Sequence, residues 1–322
     1  MNICLNVRLE ALHQPDSSTK TSIEGLIELC KEADGFDPHL RFDTHLNACK
    51  KIRPWLLAWL YPPDTKNGNG KNSSKNVSYR ILAGAASAFA PTCREGEIRA
   101  CVAPVFRRQG VFTLLYRGLE ARLRSAGAES VLLVCEKASP SGVTIASRLG
   151  AVYEHGELLM RLNKSALDKL EASKRVPNGV RLVPVTESML GKSAAVFSAI
   201  FESNFSESKT FGEAIFYDKN QEQFLVMSKE GLVGYMAIAS GSDGVALHSM
   251  GVLPEFRRQG FGKEILNISL SVLKKRNVNK ISLEVNAENM PAIALYQKAG
   301  FEEQSRAEYW KLGSRQITKL QH

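Results

Sequence analysis

The apolar positions in the second half of the chain predict a regular succession of helices and strands. Helical spacing runs over 187–205, and strands are predicted over 223–228 and 232–239, joined by a short turn. A third strand, 245–252, precedes a helix over 260–276 whose apolar residues share one face. Strand 281–285, helix 290–298 and strand 308–312 complete this half.

The first half follows the same order. A helix is predicted over 22–33, and strands are predicted over 55–60, 81–89 and 98–102. The segment 62–76 contains no apolar residue, which predicts a mobile hairpin tip between the first two strands. Residues 164–179, which include Pro177 and Gly179, are predicted to be a partly helical linker.

A repeat with an offset of 150 residues relates the two halves. Segment 102–110, VAPVFRRQG, matches segment 252–260, VLPEFRRQG, at seven of nine positions. The register continues without a gap through the next helix and strand to Gly150 and Gly300. A match this long in one register indicates a duplication. We therefore expect one domain over 1–163, a linker over 164–179 and a second domain over 180–322.

Composition narrows the class of protein. Of 322 residues, 44% are apolar and 23% are charged, which is typical of a soluble globular protein, and no run is long enough to span a membrane. The first residues lack the pattern of a signal peptide, so a cytoplasmic location is expected. Six cysteines and six histidines are dispersed without metal-ligand spacing, and we predict no metal site. The net charge of +9 is spread without long basic runs, which argues against a nucleic-acid partner and is compatible with an anionic cofactor.

The repeated segment also carries candidate chemistry. In both copies a strand and a proline are followed by Arg-Arg-Gln-Gly and an amphipathic helix. The start of a helix presents unpaired amides and the positive end of its dipole, and glycines let an anion approach the backbone. Turns of this kind also occur in proteins where they bind no ligand, so the motif alone does not establish an anion-binding site. In the second copy the turn consists of Arg257, Arg258, Gln259, Gly260, Phe261, Gly262 and Lys263.

The segment that follows this turn carries a family resemblance. R-x-x-G-x-G at 257–262 and N-x-x-A-x-x-L-Y at 289–296 together resemble the signatures of the Gcn5-related N-acetyltransferase (GNAT) superfamily, across nearly all of the second half. Segment 283–296, LEVNAENMPAIALY, is similar to that of ribosomal-protein alanine acetyltransferases. The resemblance implies an α/β (α+β) chain of two tandem GNAT acyl-CoA N-acyltransferase folds. Each fold would be a mixed, mostly antiparallel sheet flanked by helices.

The resemblance also implies an acetyl-CoA site in the second half. In this superfamily two parallel strands splay apart, and the pantetheine arm of the cofactor enters the gap like an additional strand. Carried over to this chain, main-chain groups of Met250, Gly251 and Val252 would contact the arm, and one amide there would stabilise the oxyanion. The pyrophosphate would lie on the amides of 258–263. Asn289 would bind the cofactor arm from the next helix.

Tyr296 is the implied general acid. When an amine attacks acetyl-CoA, coenzyme A leaves as a thiolate that needs a proton. A phenol with a pKa of roughly 10 is reasonably matched to a thiolate of roughly 8.5 or above.

Two residues are candidate general bases. Glu284 corresponds to the catalytic glutamate of the ribosomal-protein alanine acetyltransferases, and it would act through water or with a pKa raised by burial. His248 is similar to a histidine strand position in arylalkylamine acetyltransferases. Glu284 is the leading candidate, and His248 stays open.

The first copy has lost the candidate chemistry. At the offset of 150 residues, Ala146 replaces Tyr296, Val134 replaces Glu284, and Ile98 replaces His248. Ser139 stands for Asn289, and Phe112 stands for Gly262. Because the Arg-Arg-Gln-Gly turn persists, coenzyme A binding by this half stays open. The arrangement resembles tandem acetyltransferases such as mycothiol synthase, in which one half catalyses.

These observations predict an N-acetyltransferase that moves an acetyl group from acetyl-CoA, its co-substrate, to a primary amine by direct attack. The acceptor would be a small molecule or a peptide, and neither nucleic acid nor membrane is an expected partner. Three alternatives stay open: transfer of a longer acyl group, a non-catalytic acyl-CoA sensor, and a basic nucleic-acid-associated protein. The sequence gives no indication of oligomeric state.

Overall fold

The structure is a computed structural model that describes residues 6–61, 80–92, 94–169, 179–241 and 244–312. The predicted hairpin tip over 62–76 and residues 170–178 of the predicted linker lie outside these ranges. The chain divides into two compact units, one of residues 1–154 with 308–322 and one of residues 155–307. The predicted domain boundaries at 163 and 180 describe the duplicated segments of the sequence. The compact units are a different property of the chain, so these boundaries stay a prediction.

The first unit is a mixed sheet with helices. In this unit the strand order is β1-β2-β3-β4-β5-β12, with antiparallel ladders from β1 to β4 and a parallel ladder between β4 and β5. Its strands are Val7–Leu12 (β1), Trp55–Leu60 (β2), Ile81–Phe89 (β3), Glu95–Val102 (β4), Ser130–Glu136 (β5) and the end of Phe301–Leu312 (β12). Its helices are Ser17–Asp34 (α1), Val111–Ser125 (α2) and Pro140–Arg148 (α3).

The second unit repeats this architecture. Its strand order is β6-β11-β10-β9-β8-β7, in which β10 and β11 are parallel and the ladders β7–β8, β8–β9, β9–β10 and β6–β11 are antiparallel. Its strands are Val152–Leu162 (β6, from residue 155), Arg181–Pro184 (β7), Gln221–Ser228 (β8), Gly231–Gly241 (β9), Gly244–Val252 (β10) and Ile281–Asn286 (β11). Its helices are Lys164–Lys169 (α4), Leu190–Phe201 (α5), Phe205–Phe216 (α6), Phe261–Lys275 (α7) and Met290–Lys298 (α8).

Alternating residues of β8 pack against helices on both faces of the second sheet. Phe224 and Val226 are buried in the cluster that contains the apolar face of α7. Leu225, between them, is buried with Ile200 of α5. This alternation follows from the two-residue period of a strand, and it confirms the predicted sheet flanked by helices.

The last strand of each copy belongs to the unit built mainly from the other copy. Strand β6 follows the first copy in sequence, yet its residues 157–161 pair with 282–286 of β11. Strand β12 follows the second copy, and its residues from Glu308 onward belong to the first unit beside β5. The two strands stand at equivalent positions of the repeat, so each can fill the same place in a sheet.

Most predicted elements are confirmed, and β2, β3 and α8 have the predicted bounds. The continuous helix predicted over 187–205 is wrong. Glu202 adopts a left-handed φ of 53° that ends α5, and the side chain of Asn204 then caps the separate helix α6. Strands β1, β6 and β7 were not predicted.

Candidate active site

Two parallel strands separate at the centre of the second unit. Their ladder joins 245–247 of β10 to 281–283 of β11, while β10 continues to Val252. The register of β10 against β9 shifts between His248 and Gly251, and Ser249 within this bulge has a left-handed φ of 52°. A bulge bends its strand and changes the direction of its peptide groups. Met250 therefore lies within the bulge and Gly251 and Val252 lie beyond it, and all three lie beyond the parallel ladder.

Gly251 brings this stretch close to α5. A Cβ atom at Gly251 would lie 2.2 Å from Cγ2 of Ile200 and 3.4 Å from Cζ of Phe201. The first distance is impossible for real atoms, so only glycine allows this approach. The C-terminal end of α5 thus forms a wall beside the opened part of β10.

The glycine turn leads into α7 with an open surface. Arg258 and Gly260 have left-handed φ values of 64° and 90°, and Gly260 is the N-cap of α7. No heavy atom lies within 4 Å of a Cβ built on Gly260. The side chains of Arg258 and Lys263 are exposed and have no hydrogen-bond or ion-pair partner among the described residues. A helix start with its amides, flanked by two uncommitted cations, is suited to an anion such as a phosphate.

Three other side chains of the turn are engaged with the protein itself. Arg257 donates from Nε to the carbonyl of Val252 at 3.2 Å and from Nη2 to the carbonyl of Ile200 at 2.9 Å. Gln259 donates to the carbonyl of Glu255 at 3.0 Å. Phe261 is buried in the core, so only its main chain faces the turn.

Tyr296 on α8 is buried, with 7% of its surface exposed. Its hydroxyl has no hydrogen-bond partner among the described residues. Burial raises the pKa of Tyr296 to about 12, because the phenolate loses hydration. The phenol is therefore a proton donor throughout the neutral range.

The two candidate bases lie in different surroundings. Glu284 is exposed on β11, and its carboxylate has no partner among the described residues. His248 is half-buried, and its ring nitrogens lie 2.8 Å from Oε1 of Gln221 and 3.1 Å from Oγ of Ser249. Because amide oxygens only accept, Nε2 of His248 carries the proton in this contact. Its other nitrogen is in contact with the hydroxyl of Ser249, so Glu284 is the more accessible base.

Asn289 is the N-cap of α8. Its side-chain oxygen accepts from the amide of Ala292 at 3.2 Å. In the first copy the hydroxyl of Ser139 accepts from the amide of Gly142 at 3.1 Å in the same way. The cap is thus common to both copies. The side-chain NH₂ of Asn289, which serine lacks, is the group left to donate to a ligand.

The first unit keeps the turn, and its parallel strands also separate after Ile98, but the bulge is missing. Arg108 and Gly110 have φ values of 61° and 82°, and space is open around Gly110. The ladder between β3 and β4 runs without a register shift, so no bulge redirects β4. Arg99, at the position of Ser249, is buried and donates to the hydroxyl of Tyr309 at 2.8 Å. Phe112 packs against the core and stacks on the ring of Tyr116.

Sequence reasoning missed Ser249, Gln221 and the wall formed by Ile200. Nothing in the sequence signals a bulge at Ser249, because strand register depends on the pairing partner. The glycine pair Gly234 and Gly251 was the available signal for a close approach. A Cβ on Gly234 would lie 2.4 Å from the carbonyl oxygen of Gly251.

The described residues contain no group of three metal-ligating side chains. Within the same ranges, no helix combines the length and apolar character needed to cross a lipid bilayer.

Residues 194–301 match the model of the Acetyltransferase (GNAT) family. The [ribosomal protein bS18]-alanine N-acetyltransferase of Escherichia coli K12 is 43% identical over 61 residues, which cover 19% of this chain and 41% of that protein. The mycothiol acetyltransferase of Renibacterium salmoninarum is 24% identical over 220 residues, 64% of each chain. The chain thus spans less than two thirds of the length of these curated relatives. The matches support acyl transfer from acyl-CoA.

Solved structures show the same fold along 95% of this chain. A GCN5-related N-acetyltransferase from Sphaerobacter thermophilus matches with a TM-score of 0.71 at 18% identity, covering 95% of both chains. A tandem GNAT protein from the clavulanic acid biosynthesis pathway matches with a TM-score of 0.65 at 16% identity, covering 95% of this chain and 98% of that one. The predicted fold class, two tandem folds of this type, is confirmed.

Proposed function

We propose that the protein transfers an acetyl group from acetyl-CoA to a primary amine, since residues 194–301 match the model of the Acetyltransferase (GNAT) family. The active site would lie in the second unit, where β10 and β11 separate. The observation that carries this proposal is the combination of an opened strand, an open helix start and a buried tyrosine whose hydroxyl has no hydrogen-bond partner in the described part of the chain.

The residues of the second unit fit an acetyl-CoA molecule. The open turn at Gly260, with Arg258 and Lys263, would hold the pyrophosphate. Main-chain groups of Met250, Gly251 and Val252 would bind the pantetheine arm, and an amide there would stabilise the oxyanion. Acetyl-CoA supplies the activated thioester. The side-chain NH₂ of Asn289 would donate to the cofactor arm.

Two side chains would move protons during transfer. The carboxylate of Glu284 would accept the proton of the acceptor ammonium through water, since the group is exposed. The attacking nitrogen then forms the amide bond as the carbon–sulfur bond breaks, and the hydroxyl of Tyr296 would protonate the departing sulfur. The second proton that the nitrogen loses would restore the hydroxyl of Tyr296, so that the net proton released is the one accepted through Glu284. The contacts of His248 with Gln221 and Ser249 favour a structural role for it beside the site.

We propose a single cofactor site per chain. The first unit lacks the bulge, and the buried Arg99 occupies the position of Ser249. The retained turn at Gly110 would then lie beside a strand whose peptide groups are not turned by a bulge towards a pantetheine arm. A primary amine on a small molecule or a peptide is the proposed acceptor, in line with the names of the relatives.

Calorimetry with acetyl-CoA tests the site. The variants are Gly260→Glu and its matched control in the first unit, Gly110→Glu, since both glycines are N-caps with open space around them. We expect a stoichiometry near one that is abolished by Gly260→Glu and kept by Gly110→Glu. A stoichiometry near two that falls to one in either variant would contradict the single site. Wild-type protein that does not bind acetyl-CoA would overturn the proposed function.

An amine screen follows for the protein that binds. Peptide amino termini, amino acids, polyamines and amine-bearing antibiotics are offered with acetyl-CoA, and release of the free thiol is measured. Turnover by the wild type and its loss in Tyr296→Phe would support the transferase. Tight binding of acetyl-CoA without turnover of any amine would favour an acyl-CoA sensor.

A further inference from the structure

Arg257 opens the glycine turn, but its side chain faces the protein and not the space above the turn. Its Nε donates to the carbonyl of Val252, the last residue of β10, and its Nη2 donates to the carbonyl of Ile200 near the end of α5. The planar guanidinium group thus bridges the end of the opened strand and the helix that forms its wall. Only a forked donor group can make both bonds in one plane.

The carbonyl of Ile200 is a suitable partner for a cation. It belongs to the last turn of α5, where carbonyl groups lack partners within the helix and carry the negative end of the helix dipole. This environment offsets part of the charge of Arg257. Less of that charge is then available for a phosphate than at Arg258 and Lys263, which have no partner among the described residues.

The duplication supplies an internal comparison. In the first copy, Nε of Arg107 donates to the carbonyl of Val102 at 3.0 Å. Its Nη atoms lie 2.7 and 2.8 Å from the carboxylate oxygens of Asp34, the last residue of α1. Both arginines therefore tie the end of a strand to the end of a helix. The first copy has lost the candidate acid, both bases and the bulge, so cofactor chemistry does not account for the arginine it keeps.

The contact between β10 and the end of α5, to which Arg257 is bonded, is tightly packed. Ile200 lies against Gly251 so closely that a single added carbon would overlap it. A small movement of the end of α5 would change the width of the gap beside Met250, Gly251 and Val252. The distance between α5 and β10 is thus the quantity that the arginine controls.

We propose that Arg257 is a positioning residue that clamps the end of α5 to the end of β10 and thereby sets the width of the pantetheine gap, and that it is not a pyrophosphate ligand. This inference rests on the proposed acetyl-CoA site. It separates two neighbouring arginines of one motif into different roles, with Arg258 binding the phosphates and Arg257 shaping the gap.

Two probes distinguish these roles. Acetyl-CoA contains the diphosphate, whereas S-acetylpantetheine contains only the acyl group and the arm. Both affinities are measured by calorimetry, the second by displacement, for the wild type and for Arg257→Ala, Arg257→Lys and the matched control Arg258→Ala. Circular dichroism and thermal melting show whether each variant is folded.

We expect Arg257→Ala to weaken both probes by the same factor, about tenfold, since two hydrogen bonds to the backbone are lost. Arg257→Lys should behave like the alanine variant, because lysine keeps the charge but has a single nitrogen in place of the two that reach Val252 and Ile200. Arg258→Ala should weaken acetyl-CoA and leave S-acetylpantetheine unchanged.

Three results would overturn the inference while leaving the proposed function intact. The first is a loss confined to acetyl-CoA in Arg257→Ala, which would make Arg257 a phosphate ligand. The second is wild-type affinity in Arg257→Lys, which would show that charge alone matters. The third is a lower melting temperature with both affinities unchanged, which would make the clamp structural only. A wild type that binds no acetyl-CoA would overturn the proposed function and this inference together.

Discussion

At the scale of single residues, the second unit separates groups that hold the fold from groups that remain available to a ligand. Arg257, Gln259 and the side-chain oxygen of Asn289 are engaged with backbone groups. Glu284 and the hydroxyl of Tyr296 have no partner within the described ranges. A carboxylate and a hydroxyl that are not engaged with the protein can exchange protons with a bound molecule.

Replacement of Tyr296 by phenylalanine tests the general acid. We expect kcat to fall by about 10²–10⁴, the usual contribution of a positioned proton donor, with the affinity for acetyl-CoA unchanged. The measurements are steady-state rates with the amine found in the screen, and calorimetry. Tyr116→Phe, which removes the hydroxyl of another buried tyrosine in the first unit, is the control and should keep wild-type kcat. A Tyr296→Phe enzyme as fast as the wild type would eliminate this residue as the acid.

At the scale of elements, the bulge in β10 and the close packing of α5 shape the proposed site. The opened strand depends on the register shift between His248 and Gly251, and the wall depends on the missing side chain at Gly251. The bulge depends on the pairing of β10 with β9, and the wall depends on the contact of α5 with β10. Neither feature can therefore be assigned to one segment alone.

The substitution Gly251→Ala tests the packing of α5 on β10. Its added carbon would overlap Ile200, and we expect the free energy of unfolding to fall by about 1–3 kcal/mol, as in other overpacked cores. The matched control is Gly262→Ala, whose new carbon would lie 3.7 Å from Leu295, an ordinary contact. It should stabilise α7 by roughly 0.5–1 kcal/mol, because alanine is the better helix former. Urea denaturation measures both, and equal stabilities of the two variants would refute the packing argument.

The sequence predicts the elements well where the apolar pattern is long and periodic. Strands β2 and β3 and helix α8 have the predicted bounds for this reason. The short edge strand β7 and the break at Glu202 were missed, because a left-handed residue between two helical patterns leaves the apolar period intact. In the site, the motif located the glycine turn and Tyr296. The bulge and the backbone contacts of Arg257 depend on tertiary neighbours, which no local pattern encodes.

At the scale of the whole molecule, the boundaries of the two sequence copies differ from the boundaries of the two compact units. The second unit uses β6, which follows the first copy, and the first unit uses the end of β12, which follows the second copy. Stability of the first unit therefore depends on side chains at the far end of the chain. Tyr309 is the clearest example, since it is buried and accepts a hydrogen bond from Arg99.

Substitution of Tyr309 by phenylalanine tests this dependence. The buried guanidinium group of Arg99 would lose an acceptor, and we expect the unfolding free energy to fall by about 1–3 kcal/mol. Acetyl-CoA affinity should stay at the wild-type value, because the change affects the first unit. Tyr217→Phe, which removes an exposed contact with Glu187, is the control and should change stability by less than about 0.5 kcal/mol. Unchanged stability in Tyr309→Phe would show that the contact with Arg99 contributes little.

The placement of β12 has a consequence for synthesis on the ribosome. Strand β5 ends at Glu136, yet its permanent neighbour begins at Glu308, so all the residues between them are made before that neighbour exists. At roughly 5–20 residues per second, the edge of β5 waits on the order of 10–30 seconds for this partner. The nascent β6, which is equivalent to β12, is available throughout that interval. The edge of β5 must therefore stay open, or be released by β6, until β12 is made, so completion of the first unit follows synthesis of the second copy.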